Sequence, residues 1–133
     1  MNLKILLVED DEIEKLKFER ALKKLGTNHT IIKAGNGEEA LLKCKEELPN
    51  LILLDLNMPK MNGLEFLSIL KSDENLKFVP TVVFSTSNNH QDMINAYKIG
   101  IAGYVVKPLH YSDYVTQIEK IIGYWSINEL VTL

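Results

Sequence analysis

A single cysteine, Cys44, stands in 133 residues. One cysteine forms no intrachain disulfide, and without a motif around it the thiol reads as core packing. Histidine is almost as scarce. His29, His90 and His110 are scattered, show no metal-ligand spacing and read as surface or loop residues. Neither sign of charge dominates: 15 basic against 18 acidic residues leave a formal net charge of −3, which gives no reason to expect nucleic acid as a partner. No apolar run approaches the roughly 20 residues that span a bilayer, and no charged-then-apolar signal segment opens the chain. A membrane partner is therefore not expected, and the expected location is cytoplasmic. Internal repeats, low-complexity segments and interdomain linkers are also missing.

What remains is the composition of a globular domain, with 46% hydrophobic and 25% charged residues. The length corresponds to one domain spanning residues 1–133, with a core over about 3–123 and an apolar tail over 124–133. Short branched runs predict five strands: "LKILLVE" from Leu3, "HTIIKA" from His29, "NLILLD" from Asn50, "PTVVFST" from Pro80 and "GYVVK" from Gly103. Helical spacing predicts a helix after each. The first carries Ile13, Leu16, Phe18, Ala21, Leu22 and Leu25 and stops at Gly26. The second places Ala40, Leu41 and Cys44 on one face, and the third pairs Leu64 with Leu67 and Leu67 with Leu70. The fourth, "QDMINAYKIG", ends at Gly100, and the fifth has a stripe of Tyr111, Tyr114, Val115, Ile118, Ile121 and Ile122. Strict alternation predicts an α/β doubly wound parallel sheet with helices on both faces. In the tail, Trp125 and Leu130 are expected to fold back onto the domain.

The stretch "LILLDLNMPKMNG", Leu51 to Gly63, ends four aliphatic residues on Asp55. A buried carboxylate without partners costs several kcal/mol, so partners must come from elsewhere. In an open parallel sheet they lie at the other strand ends, where sites form. The first strand ends in Glu9, Asp10 and Asp11, the fourth in Ser85 and Thr86, and the fifth in Lys107 and Pro108. Crowded carboxylates raise one another's pKa values, which a hard divalent cation such as Mg²⁺ relieves. Lys107 supplies a second compensating charge for Asp55. The same set would stabilise a phosphoryl group, with Asp55 as nucleophile and a Ser85 hydroxyl donating to one oxygen. Either Asp10 or Asp11 also suits the N-cap of the first helix.

The segments "ILLVEDD", "LILLDLNMPKMNG", "VVFSTS" and "GYVVKP" resemble, in order and spacing, the receiver domain of two-component response regulators over about Leu3 to Gly123. The resemblance implies a flavodoxin-like five-stranded sheet of order 2-1-3-4-5 with five helices. It implies an acidic pair at Glu9 and Asp10, a phosphoacceptor at Asp55, and the Asn57 main-chain carbonyl as a further Mg²⁺ ligand. It implies a hydroxyl switch at Ser85, an aromatic switch at Tyr104, and an active-site lysine at Lys107 joined to Pro108 by a cis bond. The phosphoryl group would draw Ser85 inward, and Tyr104 would turn into the vacated space.

The chain is similar to stand-alone receivers that pair with phytochrome-type histidine kinases. The implied partners are a sensor histidine kinase or a phosphotransfer protein, and a second copy docking through helix 4, strand 5 and helix 5. That face would carry Tyr97, Tyr104 and Tyr111, with Tyr114 expected to pack inside. A domain of this kind is no general enzyme; it promotes only its own phosphorylation and dephosphorylation. Two other readings share parts of the pattern. A flavodoxin-like electron carrier would need a phosphate-holding loop after the first strand, where "EDDEIE" would repel phosphate. A haloacid-dehalogenase-like phosphatase carries its nucleophile after the first strand, not the third.

Overall fold

The computed structural model describes residues 2–131. Met1 and the last two residues of the tail, Thr132 and Leu133, lie outside the described residues. The elements alternate as β1 (Lys4–Val8), α1 (Glu12–Lys24), β2 (Thr30–Ala34), α2 (Gly37–Glu46), β3 (Leu51–Leu54), α3 (Gly63–Ser72), β4 (Thr81–Ser85), α4 (His90–Ile99), β5 (Gly103–Val106) and α5 (Tyr111–Ser126). All strand pairings are parallel, in the order β2-β1-β3-β4-β5 expected from the sequence.

The strand sequences explain this order. Leu51–Leu54 and Thr81–Ser85 are buried along their whole length, as strands covered on both faces must be. β5 stands at the edge and keeps Val106 exposed. Alternate residues feed two cores. Leu6, Val8, Ile52, Leu54 and Val83 meet Ala40, Cys44, Phe66, Leu67, Leu70 and Ala96 of α2, α3 and α4. Ile5, Leu7, Leu51, Leu53, Val82 and Phe84 meet Phe18, Ala21, Leu22, Tyr114, Ile118 and Ile122 of α1 and α5. Cys44 belongs to the first core, where burial pushes its thiol up to about 12. The packing role expected of it is what the structure shows.

Four helices start on side-chain caps. Asp11 accepts from Ile13 and Glu14 N–H, and Asn36, Asn62 and Asn89 each accept from the N–H three residues on. Each cap turns the chain back directly after a strand or its loop, so the carboxyl end of the sheet is also where helix N-termini gather.

Three details differ from the periodicity. Ile13 and Leu16 are 75% and 49% exposed, because the face of α1 that meets the sheet runs through Phe18, Ala21 and Leu22, and four residues before Phe18 it carries Glu14. Helix α5 continues past Gly123 to Ser126. Trp125 and Leu130 then pack against the second core, as expected of the tail. His29 is not a free loop residue: its Nδ1 accepts from the Leu3 N–H at 2.8 Å and anchors the start of β1.

Candidate functional site

The ends of β1, β3, β4 and β5 open onto one cleft of about 300 Å³. Glu9, Asp10, Asp55, Asn57, Thr86 and Lys107 line it, with Asp11 and Glu14 from the start of α1. Sheet hydrogen bonds fix their positions. Asp55 N–H donates to Val8 O at 3.0 Å, Glu9 N–H to Ala34 O at 2.9 Å, and Lys107 N–H to Ser85 O at 2.8 Å. Residues far apart in sequence thereby meet through backbone register.

Asp55 is buried. Its Oδ1 accepts from Ser85 Oγ at 2.8 Å and from the Asn57 N–H at 3.4 Å. The Ser85 hydroxyl is held by Asp55 itself. The cause is elementary: Ser85 is fully buried, and a buried hydroxyl takes the acceptor within reach. Tyr104 is half-buried against the first core, and its hydroxyl donates to Ser87 O at 2.9 Å. Tyr114 is buried, as expected. Tyr111 stacks on it and borders a groove with Ile13, Leu16, Lys17 and Arg20 of α1. Of the tyrosines expected on the α4–β5–α5 face, Tyr97 and Tyr111 are exposed and Tyr104 is half-buried.

Lys107 departs from expectation. Its ammonium pairs with Glu9 Oε2 at 2.8 Å and lies 3.5 Å from Glu14 Oε2, so Glu9 rather than Asp55 is its hydrogen-bond partner. Asp55 is held instead by the Ser85 hydroxyl. The Lys107–Pro108 bond is trans: no peptide bond among the described residues is cis. Trans is the isomer an X–Pro bond favours intrinsically, by about 0.5–1 kcal/mol.

Charge in the cleft is unbalanced. Burial pushes the Glu9 carboxyl up, and the neighbouring Asp55 adds to this, while the bond to Lys107 acts the other way. Burial alone would lower the Lys107 ammonium, but its bond to Glu9 and the charges of Glu9, Glu14 and Asp55 outweigh burial and raise it. The two shifts differ in origin: burial dominates at Glu9, and the surrounding carboxylates dominate at Lys107.

Glu9, Asp10 and Asp55 each offer an oxygen, all within 4.8 Å of one another. An all-oxygen set of this size suits a hard divalent cation. Glu9 and Asp55 are buried and Asp10 is exposed at the mouth, leaving room for waters that a cation such as Mg²⁺ retains. Asp11 is absorbed as the cap of α1, which settles the choice between the two aspartates. Glu14 went unnoticed in the sequence. Its signal was there: it stands four residues before Phe18, on the inward face of α1, where an acid needs a partner.

Residues 5–119 match the family described as the response regulator receiver domain. The chain is 35% identical to the response regulator Rcp1 of Synechocystis over 97% of this chain and 91% of that protein. It is 38% identical to the probable methanogenesis regulatory protein FilR2 of Methanothrix harundinacea over 91% and 82% of the respective chains. Among solved structures, the phosphorylated cyanobacterial phytochrome response regulator RcpA superposes with a TM-score of 0.91 at 33% identity, covering 99% of this chain and 100% of that one. The Mn²⁺-bound form of Rcp1 superposes with a TM-score of 0.89 at 32% identity, covering 98% and 99%.

Proposed function

Because the chain belongs to the response regulator receiver domain family, we propose that it accepts a phosphoryl group on Asp55 from a sensor histidine kinase or a phosphotransfer protein. Receiver domains are signalling domains, not general catalysts. The observation that carries the reading is the cleft itself: three carboxylates within reach of one cation, a buried hydroxyl on the central one, and one buried ammonium. A divalent cation, Mg²⁺ in the cell, would neutralise phosphoryl oxygens, held by Glu9, Asp10, Asp55 and the Asn57 carbonyl. The Mn²⁺-bound Rcp1 structure supports the metal, and the match to RcpA supports a phytochrome-type kinase as the source.

In this reading Asp55 Oδ attacks phosphorus, a new O–P bond forms, and the donor's N–P bond breaks with its electron pair leaving on the imidazole. Ser85 Oγ exchanges its carboxylate acceptor for a phosphoryl oxygen, and Lys107 takes another. Water then attacks phosphorus, the Asp55 O–P bond breaks with its electron pair returning to the carboxylate, and inorganic phosphate leaves, so the chain promotes only its own phosphorylation and dephosphorylation. Incubation with acetyl phosphate and Mg²⁺ should give one alkali-labile phosphoryl adduct by intact-mass spectrometry. No adduct with either a small donor or a charged histidine kinase would overturn the proposal.

We propose further that the output surface is formed by α4, β5 and α5, and that a second copy docks there. Support comes from exposed Tyr97, Val106 and Tyr124 on these elements and from β5 being an open sheet edge. Cytoplasmic action fits the free thiol, and no helix among the described residues is long and apolar enough to cross a membrane. Sedimentation in Mg²⁺, with and without beryllofluoride, should show tighter self-association with the phosphoryl mimic. A monomer in both states at high concentration would sink the docking face.

A further inference from the structure

We infer that Glu14 is a positioning residue that shares Lys107 with Glu9, receiving the ammonium when a divalent cation claims Glu9. The inference rests on the cation reading above. It begins from an acid in the wrong place: Glu14 occupies the inward face of α1, where its neighbours along the helix, Phe18, Ala21 and Leu22, are core residues. Glu14 Oε2 is buried and has no hydrogen bond, although Lys107 Nζ lies only 3.5 Å away. Its other oxygen lies 4.0 Å from Lys17 Nζ, a loose contact at the cleft wall. A buried acceptor left open is costly, and proteins rarely keep one without use.

The use follows from competition. Lys107 holds Glu9 Oε2 at 2.8 Å, and its side chain is only 6% exposed. A cation that takes Glu9 Oε2 displaces that ammonium, and one that takes Oε1, which accepts only from the Asp11 N–H at 3.3 Å, draws off the charge that holds it. With no second acceptor, displacement would strand a buried positive charge, which is strongly unfavourable. Glu14 Oε2 removes the difficulty: a shift of under about 1 Å brings Nζ to charge-assisted bonding distance without leaving the cleft. The ammonium stays beside Asp55, where the incoming phosphoryl group needs it.

The test is a double-mutant cycle read by calorimetric titration with Mg²⁺ alone. Glu14→Gln should weaken Mg²⁺ binding by about five- to tenfold, the scale of coupling between groups in contact. In a Lys107→Ala background the same substitution should change affinity by less than about twofold, because the competitor is gone. Glu12→Gln removes the same charge from an 82% exposed side chain one turn edge away, and should leave affinity unchanged. Circular dichroism and thermal melts confirm that each variant is folded. Unchanged affinity in Glu14→Gln would overturn the inference, as would an equal loss with and without Lys107, which is a simple field effect. A wild-type chain that binds no Mg²⁺, or whose binding survives Asp10→Asn unchanged, would overturn the cation reading itself.

Discussion

Asparagine in place of Asp55 is expected to remove the phosphoryl adduct, lowering its rate of formation by at least about a hundredfold. Of the other oxygen groups at the cleft, Glu9, Asp10 and Ser85 stand beside Asp55, and each is disqualified by its surroundings. Glu9 is hydrogen-bonded to Lys107 at 2.8 Å, so its electron pair is committed to an ammonium. Asp10 is exposed at the mouth and has no donor to hold one oxygen while the other attacks. Ser85 is fully buried and does not line the cleft, so its oxygen is closed to an incoming phosphorus. Asp55 alone is both ordered, by Ser85 and the Asn57 N–H, and open to the cleft. Asparagine keeps the shape and can still accept from Ser85, so the fold should survive, which a thermal melt would verify. Intact-mass spectra over time in Mg²⁺ and acetyl phosphate decide the matter. An adduct forming on the variant at the wild-type rate would move the phosphoacceptor elsewhere.

Most of the architecture was legible in the sequence because parallel strands buried on both faces must be continuous apolar runs. "LILL" admits little else once helical segments flank it. Strand ends were equally legible, since a run that stops on Asp55 or on Glu9 announces where the sheet meets solvent. Pairing within the cleft was not. Charge complementarity matched Lys107 to Asp55, yet the choice between acids a few ångströms apart depends on side-chain direction. Here Ser85 fills one side of Asp55 and leaves Lys107 to Glu9 and Glu14. The inward face of α1 was blurred for a related reason. Ile13 and Leu16 fit a loose helical period, whereas the true stripe, from Glu14 through Phe18 to Leu22, begins with a charge that a hydrophobicity count discards. The Ser85 hydroxyl takes Asp55 as its acceptor, a pairing that exists only once the fold brings β3 and β4 together.

Alanine at Gly63 is expected to destabilise the fold by about 3 kcal/mol, at the upper end of ordinary overpacking. Gly63 is the first residue of α3, just after the Asn62 cap, and its N–H donates to Leu56 O at 3.2 Å. An added Cβ would lie 2.6 Å from Leu56 Cα, 2.7 Å from Asp55 O and 2.9 Å from Leu56 Cδ2. The first two are main-chain atoms, so no rotamer change relieves the clash. Either α3 slides away from the end of β3 or the Asp55–Leu56 peptide is pushed toward the cleft. The first response opens the core beneath Phe66 and Leu67, both fully buried. The second moves Asp55 and the Asn57 carbonyl beyond it. A melting temperature lower by about 10 °C is therefore expected, with Mg²⁺ affinity reduced in the folded fraction. Gly123→Ala is the matched control. Gly123 lies within α5 with nothing within 4 Å of an added Cβ, so the same chemical change should stabilise by about 0.5–1 kcal/mol through helix propensity. Opposite signs for the two substitutions would show that close approach of α3 to β3, and not the loss of a glycine as such, holds Asp55 in place. A Gly63→Ala protein that melts with the wild type would refute that account.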